Sequence, residues 1–238
     1  MERGLFTMDT FLRKYWLGIL IIFNLGCQLD YVEPLLIQGQ AGEADARKKP
    51  ATDCSEYFYF YEQTRVMLGE VNTSKIVLGF REGVTSEQKA AFIAKHPYLQ
   101  SIQNELNTGS ADATIVLLTT GLTCAQVETV LNQLAKKQEI RYANPFFQSP
   151  IDESLLGITN QFILNLKPGY TSEDLEKLTR RTKTRIVEQL GEGIFILSAD
   201  KYSAGNALQM ANKFSQFRQV ASSEPDFLYD LQSPGLKL

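Results

Sequence analysis

Few residues in this chain could run a reaction. A nucleophile–base pair needs an imidazole, and there is one histidine, His96, directly before Pro97. Proline disfavours helix in the residue before it, so His96 reads as the end of a helix, its ring near the last helical carbonyls. One histidine and three cysteines are too few for a His-rich metal site or a Cys-based zinc ribbon, so no cofactor is expected. The sequence holds no Gly-x-Ser-x-Gly elbow, P-loop or Rossmann glycine pattern. Asp152-Glu153 and Glu173-Asp174 are paired acids, but they fall in a linker and in a first helical turn, where solvation and the helix dipole account for them. Arg180, Arg181, Lys183 and Arg185 read as a solvated helix face rather than a phosphate site. With 24 Lys+Arg against 27 Asp+Glu, the net charge of -3 gives no support to a nucleic-acid-binding surface. The expectation is a protein that binds and does not catalyse.

One position invites modification. Arg13 and Lys14 precede an apolar run over residues 15–25, the length of a signal-peptide core and too short to span a bilayer. The run ends in Asn24-Leu25-Gly26-Cys27, which resembles the lipobox of bacterial lipoproteins. Residues 1–26 are then a signal peptide, and Cys27 carries a lipid that anchors the chain to a membrane of the bacterial cell envelope. Plain secretion is the alternative. Residues 27–53, charged and weakly periodic, read as a flexible tether. Cys54 and Cys124 remain; a disulfide between them and two separate buried thiols are both open.

The elements that carry the rest are written twice. Residues 75–87 align without gaps on residues 161–173, each an apolar strand, a glycine turn and a Thr-Ser-Glu helix start. Tyr142-Ala143-Asn144-Pro145-Phe146-Phe147 corresponds to Ser222-Ser223-Glu224-Pro225-Asp226-Phe227. The period of about 80 residues suits a duplicated small domain rather than a solenoid. Thr85 with Gln88, Thr123 with Gln126 and Thr171 with Asp174 have capping-box spacing. Val127, Val130, Leu131 and Leu134 form a helical stripe. Helices are expected over 86–96 and 172–182, and strands near 99–106, 113–119, 185–190 and 194–199. The fold class is therefore α+β: two tandem ferredoxin-like βαββαβ units with antiparallel sheets and helices on one face. An aromatic β-hairpin beginning at Tyr57-Phe58-Tyr59-Phe60-Tyr61 precedes them. The first unit with its hairpin occupies residues 54–150 and the second, with a C-terminal tail, residues 151–238.

One pattern points to binding. Phe162, Leu164 and Leu166 alternate to the side beneath the helices. Ile163, Ile194 and Ile196 do not fall with them, and Ile115, Val116, Leu117 and Leu118 repeat the excess in the first unit. A sheet covered on one side should alternate more cleanly. The other repeat, the aromatic hairpin or a partner protein must cover the open face.

Asn160 to Leu166, Lys167-Pro168-Gly169, Ile196-Leu197-Ser198, residues 203–212 and Ser223-Glu224-Pro225-Asp226-Phe227 resemble the N-terminal prodomain of bacterial subtilisin-like serine peptidases. The likeness spans most of residues 55–230, and no motif of the catalytic Asp, His and Ser accompanies it. The resemblance implies a non-catalytic inhibitor or folding chaperone whose partner is a subtilisin-like serine peptidase. The open sheet face, with Ile163, Ile194 and Ile196, would pack on the peptidase. The tail would enter the substrate cleft, with Leu236, Lys237 and Leu238 nearest the catalytic serine. An envelope lipoprotein that binds another protein or ligand is the alternative, as is a prodomain whose catalytic domain is lost.

Overall fold

The computed structural model describes residues 54–107, 112–149 and 154–229. The expected signal peptide (1–26), the tether (27–53) with Cys27, the Asp152-Glu153 pair, and Leu236, Lys237 and Leu238 lie outside them. The described chain opens with a hairpin of β1 (Phe58–Tyr61) and β2 (Thr64–Met67). The first repeat runs β3 (Glu70–Phe80), α1 (Ser86–Ala94), β4 (Leu99–Asn107), β5 (Asp112–Leu118), α2 (Cys124–Leu134) and β6 (Ile140–Gln148). The second runs β7 (Leu155–Leu166), α3 (Ser172–Thr182), β8 (Arg185–Gly191), β9 (Ile194–Ser198), α4 (Ala207–Ser215) and β10 (Val220–Tyr229). The protein is α+β, and the pairings between these strands are antiparallel.

Local chemistry starts the helices where the sequence places them. Thr85 and Gln88 exchange side chain–backbone hydrogen bonds at the head of α1, and Thr123 and Gln126 do so at α2. At α3 the Thr171 amide donates to Asp174 Oδ2 at 3.2 Å. Asn206 and Gln209 box the start of α4, a pair the sequence reading did not single out. Each box satisfies amides that the first helical turn leaves without intrahelical partners. The stripe Val127, Val130, Leu131 and Leu134 is buried as its spacing requires. Helix α1 ends at Ala94, two residues short of the expected limit, and His96 Nδ1 donates to the Phe92 carbonyl at 2.7 Å.

The strand order is β4-β5-β3-β6 in the first repeat and β10-β7-β9-β8 in the second, so corresponding strands occupy corresponding places. The registers match too: Val77 faces Ile115 and Asn144, as Ile163 faces Ile196 and Glu224. The repeats do not keep separate sheets. Phe146, Phe147 and Gln148 of β6 pair with Gly157, Leu156 and Leu155 of β7, joining both sets into one eight-stranded sheet. All four helices contribute to the larger core, which includes Ile76, Leu78, Val116, Phe147, Phe162, Leu164, Leu175, Leu197 and Phe214.

The aromatic hairpin lies on this helical side and so does not cover the open face. Tyr57 stacks on Phe147 with ring centroids 4.9 Å apart, and Tyr59 meets Phe227 edge-on at 5.2 Å. Cys54, just before the hairpin, forms a disulfide with Cys124 at the start of α2, with Cα atoms 5.7 Å apart. The choice left open by the sequence is thereby decided.

The joint between repeats is tight. A Cβ on Gly157 would stand 2.8 Å from Phe146 Cε1 and from Val77 Cγ2. Overpacking of this kind costs about 1–3 kcal/mol. Gly157→Ala is expected to lower the thermal midpoint by several degrees in circular dichroism, and Phe146→Leu in the same chain should recover part of the loss. An unchanged midpoint in the single variant would show that the joint yields freely.

Candidate functional site

The internal repeat supplies its own control for the open face. In the first repeat Val77 and Ile115 point away from the helices, yet they are 0% and 3% exposed. They sit in a second, smaller core with Ala113, Tyr142, Phe146 and Leu155, against which Leu106 and Leu228 pack. Tyr142 can lie flat there because residue 79 is glycine; any Cβ would run into its ring. The Tyr142 hydroxyl donates to the Asp112 carbonyl at 2.8 Å, and burial pushes its phenol pKa well up. Leu155 and Leu228 come from the second repeat, so the first repeat's open face is covered from within the chain.

The corresponding residues of the second repeat do the opposite. Ile163 matches Val77, Ile196 matches Ile115 and Ile194 matches Ala113 by register. Ser222 and Asp226 stand where Tyr142 and Phe146 stand in the first repeat, and Asn165 replaces Gly79. Asn165 Nδ2 donates to Ser222 Oγ at 2.8 Å, a polar contact in place of an aromatic lid. Ile163 and Ile194 are consequently 38% and 37% exposed, and Ile196 is half-buried. Three isoleucines expected from the sequence to share a face therefore do share one, on β7 and β9.

Carboxylates flank this apolar strip. Directly paired residues across four strands read Glu224, Ile163, Ile196 and Glu188. At strand spacings near 4.8 Å, that row is about 14 Å wide. Burial raises the Glu224 pKa above the ordinary carboxylate range, and the charge of Glu62 adds to the effect. Burial also raises that of Asp226, partly offset by the Thr159 hydroxyl, which donates to its Oδ2 at 2.9 Å. Exposed Val187 and Leu190 extend the apolar surface at two irregularities in β8. Neither the carboxylate row nor the Thr159–Asp226 contact was read from the sequence. The one available signal was glycine inside a strand at 79 and 157, which marks close approach of another group.

Four of the described residues weighed for chemistry, His96, Asp174, Arg180 and Arg185, have partners within the fold. His96 caps a helix end, as described above. Arg180 pairs with Glu176 at 3.6 Å and Arg185 with Asp200 at 3.8 Å, all four in the second repeat. Asp174 caps α3, and the hydrogen bond it accepts from the Thr171 amide lowers its pKa. A cleft of about 380 Å³ lies between α2 and the start of α4, lined in part by Glu128, Lys201, Asn206 and Gln209. Several of its polar groups are engaged: Glu128 accepts from Tyr57 and Ser55, Lys201 donates to the Lys137 carbonyl, and Asn206 and Gln209 cap each other, whereas the buried Asn144 Oδ1 has no hydrogen-bond partner. Among the described residues no helix is long and apolar enough to cross a membrane. No family model and no curated protein matches the chain.

A carboxyl whose pKa rises on folding binds more protons in the folded state, so stability falls as pH rises through that pKa. Asp226→Asn keeps an acceptor for Thr159 and removes the charge. It is expected to raise the thermal midpoint at pH 7, with the gain shrinking on acidification and vanishing below about pH 4, where Asp226 is protonated even in the unfolded chain. A gain that is the same at pH 7 and pH 4 would exclude the buried charge as its cause.

Proposed function

We propose that the chain is a lipid-anchored, prodomain-like protein that binds a subtilisin-like serine peptidase and inhibits it or assists its folding, with no catalysis of its own. Each repeat is, in this reading, a ferredoxin-like unit. The βαββαβ element order and the placing of the fourth strand beside the first support that assignment. The anchor is Cys27, which places the protein in the bacterial cell envelope.

One observation carries the reading. The same four-stranded face occurs twice, and only the second copy leaves its isoleucines uncovered while the first fills the equivalent space with Tyr142 and Phe146. An apolar surface kept open beside a covered twin is a surface for a protein partner. Ile163, Ile194 and Ile196 are the residues that grip, and the second repeat is the binder. The chain after Tyr229, including Leu236, Lys237 and Leu238, runs from the end of β10 into the peptidase cleft as an added strand. An edge strand as the launching point fixes where that segment begins and lowers the entropy cost of docking.

The test is inhibition of a subtilisin-like peptidase from the same organism by the full chain. Turnover should slow at micromolar protein. Ile163→Asp and Ile196→Asp should each weaken inhibition roughly ten-fold or more, a loss of about 1.4 kcal/mol per decade. Each also sets a carboxylate directly opposite Glu224 or Glu188 and so should lower the thermal midpoint somewhat; inhibition is therefore compared at a temperature where circular dichroism shows each variant folded. Deleting residues 231–238 should reduce inhibition far more than binding. Unslowed turnover at micromolar protein defeats the inhibitory reading, and binding without inhibition favours the envelope binding module instead.

A further inference from the structure

The hairpin of β1 and β2 is a two-stranded sheet of its own, outside the eight-stranded one. It bridges the two repeats on the helical side. Toward the first repeat it is held by the Cys54–Cys124 disulfide, by Glu128, which accepts from the Tyr57 hydroxyl at 2.8 Å and the Ser55 amide at 3.1 Å, and by the Tyr57–Phe147 stack. Toward the second it is held by Tyr59 against Phe227 of β10 and by Asn212 Nδ2 of α4, which donates to the Phe58 carbonyl at 2.8 Å. No ladder hydrogen bond ties it to the main sheet among the described residues. An isolated two-stranded hairpin is marginal in water, so its order depends on these ties and on the packing of Tyr57, Tyr59 and Leu68 against the larger core. Beside the backbone, which runs on through buried Leu68 into β3, the disulfide is the one covalent cross-link of the strap among the described residues, and both its cysteines are half-buried, within reach of a reductant.

We infer that the Cys54–Cys124 disulfide is a redox latch: its reduction releases the hairpin strap and loosens the end of β10 while the eight-stranded sheet stays folded. A thiolate of a dithiol reductant attacks one sulfur, forming a mixed disulfide and freeing the other cysteine. The second thiol of the reductant then resolves the mixed disulfide. Two electrons pass from the dithiol to the protein, two protons end on Cys54 and Cys124, and the reductant leaves as a disulfide. Among the described residues strand β10 pairs only with β7, and on its helical face the strap packs Tyr59 against Phe227 near the strand's end. That end of β10 leads into residues 230–238. The strap thus connects the oxidation state of the first repeat to the point from which the tail departs. The inference does not depend on the identity of the partner.

The experiment is amide hydrogen exchange on the full chain carrying Cys27→Ser, oxidised and then treated with dithiothreitol under native conditions. Exchange over residues 55–68 should rise roughly ten-fold or more on reduction, and that over 226–229 should rise with it. Exchange over β3, β5, β7 and β9 should stay within about two-fold, as expected of an opening that is local rather than global. The Cys54→Ser/Cys124→Ser chain should reproduce the reduced pattern without reductant. Tyr57→Phe, which loses the bond to Glu128, should speed strap exchange further only once the disulfide is open. Unchanged exchange over 55–68, an equal rise in every segment, or unfolding of the reduced chain each overturns the latch.

Discussion

Strand β7 is shared by everything around it. Leu155, Leu156 and Gly157 pair with β6 of the first repeat, Gln161 to Asn165 pair with β9 of the second, and β10 runs along the other side. Between the two ladders, the carbonyls of Ile158 and Thr159 would face a gap. Asn144 fills it: its Nδ2 donates to both, at 3.2 and 2.8 Å, from a position 1% exposed. Buried carbonyls without partners are costly, so this one side chain lets a strand change neighbours without leaving the sheet. The orientation of one repeat against the other follows from that exchange.

Once the repeats are joined in this way, their equivalent faces cease to be equivalent. The first open face lies beside the joint, where Phe146, Leu155 and Leu228 converge on it. The second lies beyond the joint, on the part of β7 that β6 does not reach. There the positions that could have supplied a lid are Ser222 and Asp226, too small or too polar to cover isoleucine. Duplication thus produced a scaffold half and an exposed half from one plan, and what separates them is the side chains at a few registered positions.

Several charged groups of the described residues serve the fold itself. His96, Asp174 and Glu128 each satisfy backbone or hydroxyl groups of the fold. The carboxylates with raised pKa values, Glu224 and Asp226, sit at the margin of the isoleucine strip, with burial as the leading cause in both.

Much of this was legible along the chain, because it rests on short-range patterns. Capping pairs three residues apart, the Val127–Leu134 stripe, the alternation of Phe162, Leu164 and Leu166, and the 80-residue repeat are all local or self-referential. They determined the elements, their order, the helix-covered side of the sheet and the common face of Ile163, Ile194 and Ile196. What no local pattern carries is which groups meet across the fold. The pairing of Cys54 with Cys124, the placing of the aromatic hairpin over the helices, and the closure of one face by Tyr142, Phe146 and Leu155 join residues tens of positions apart. Alternation says that a side chain points away from the helices; only the joining of β6 to β7 decides whether it meets an aromatic ring or water.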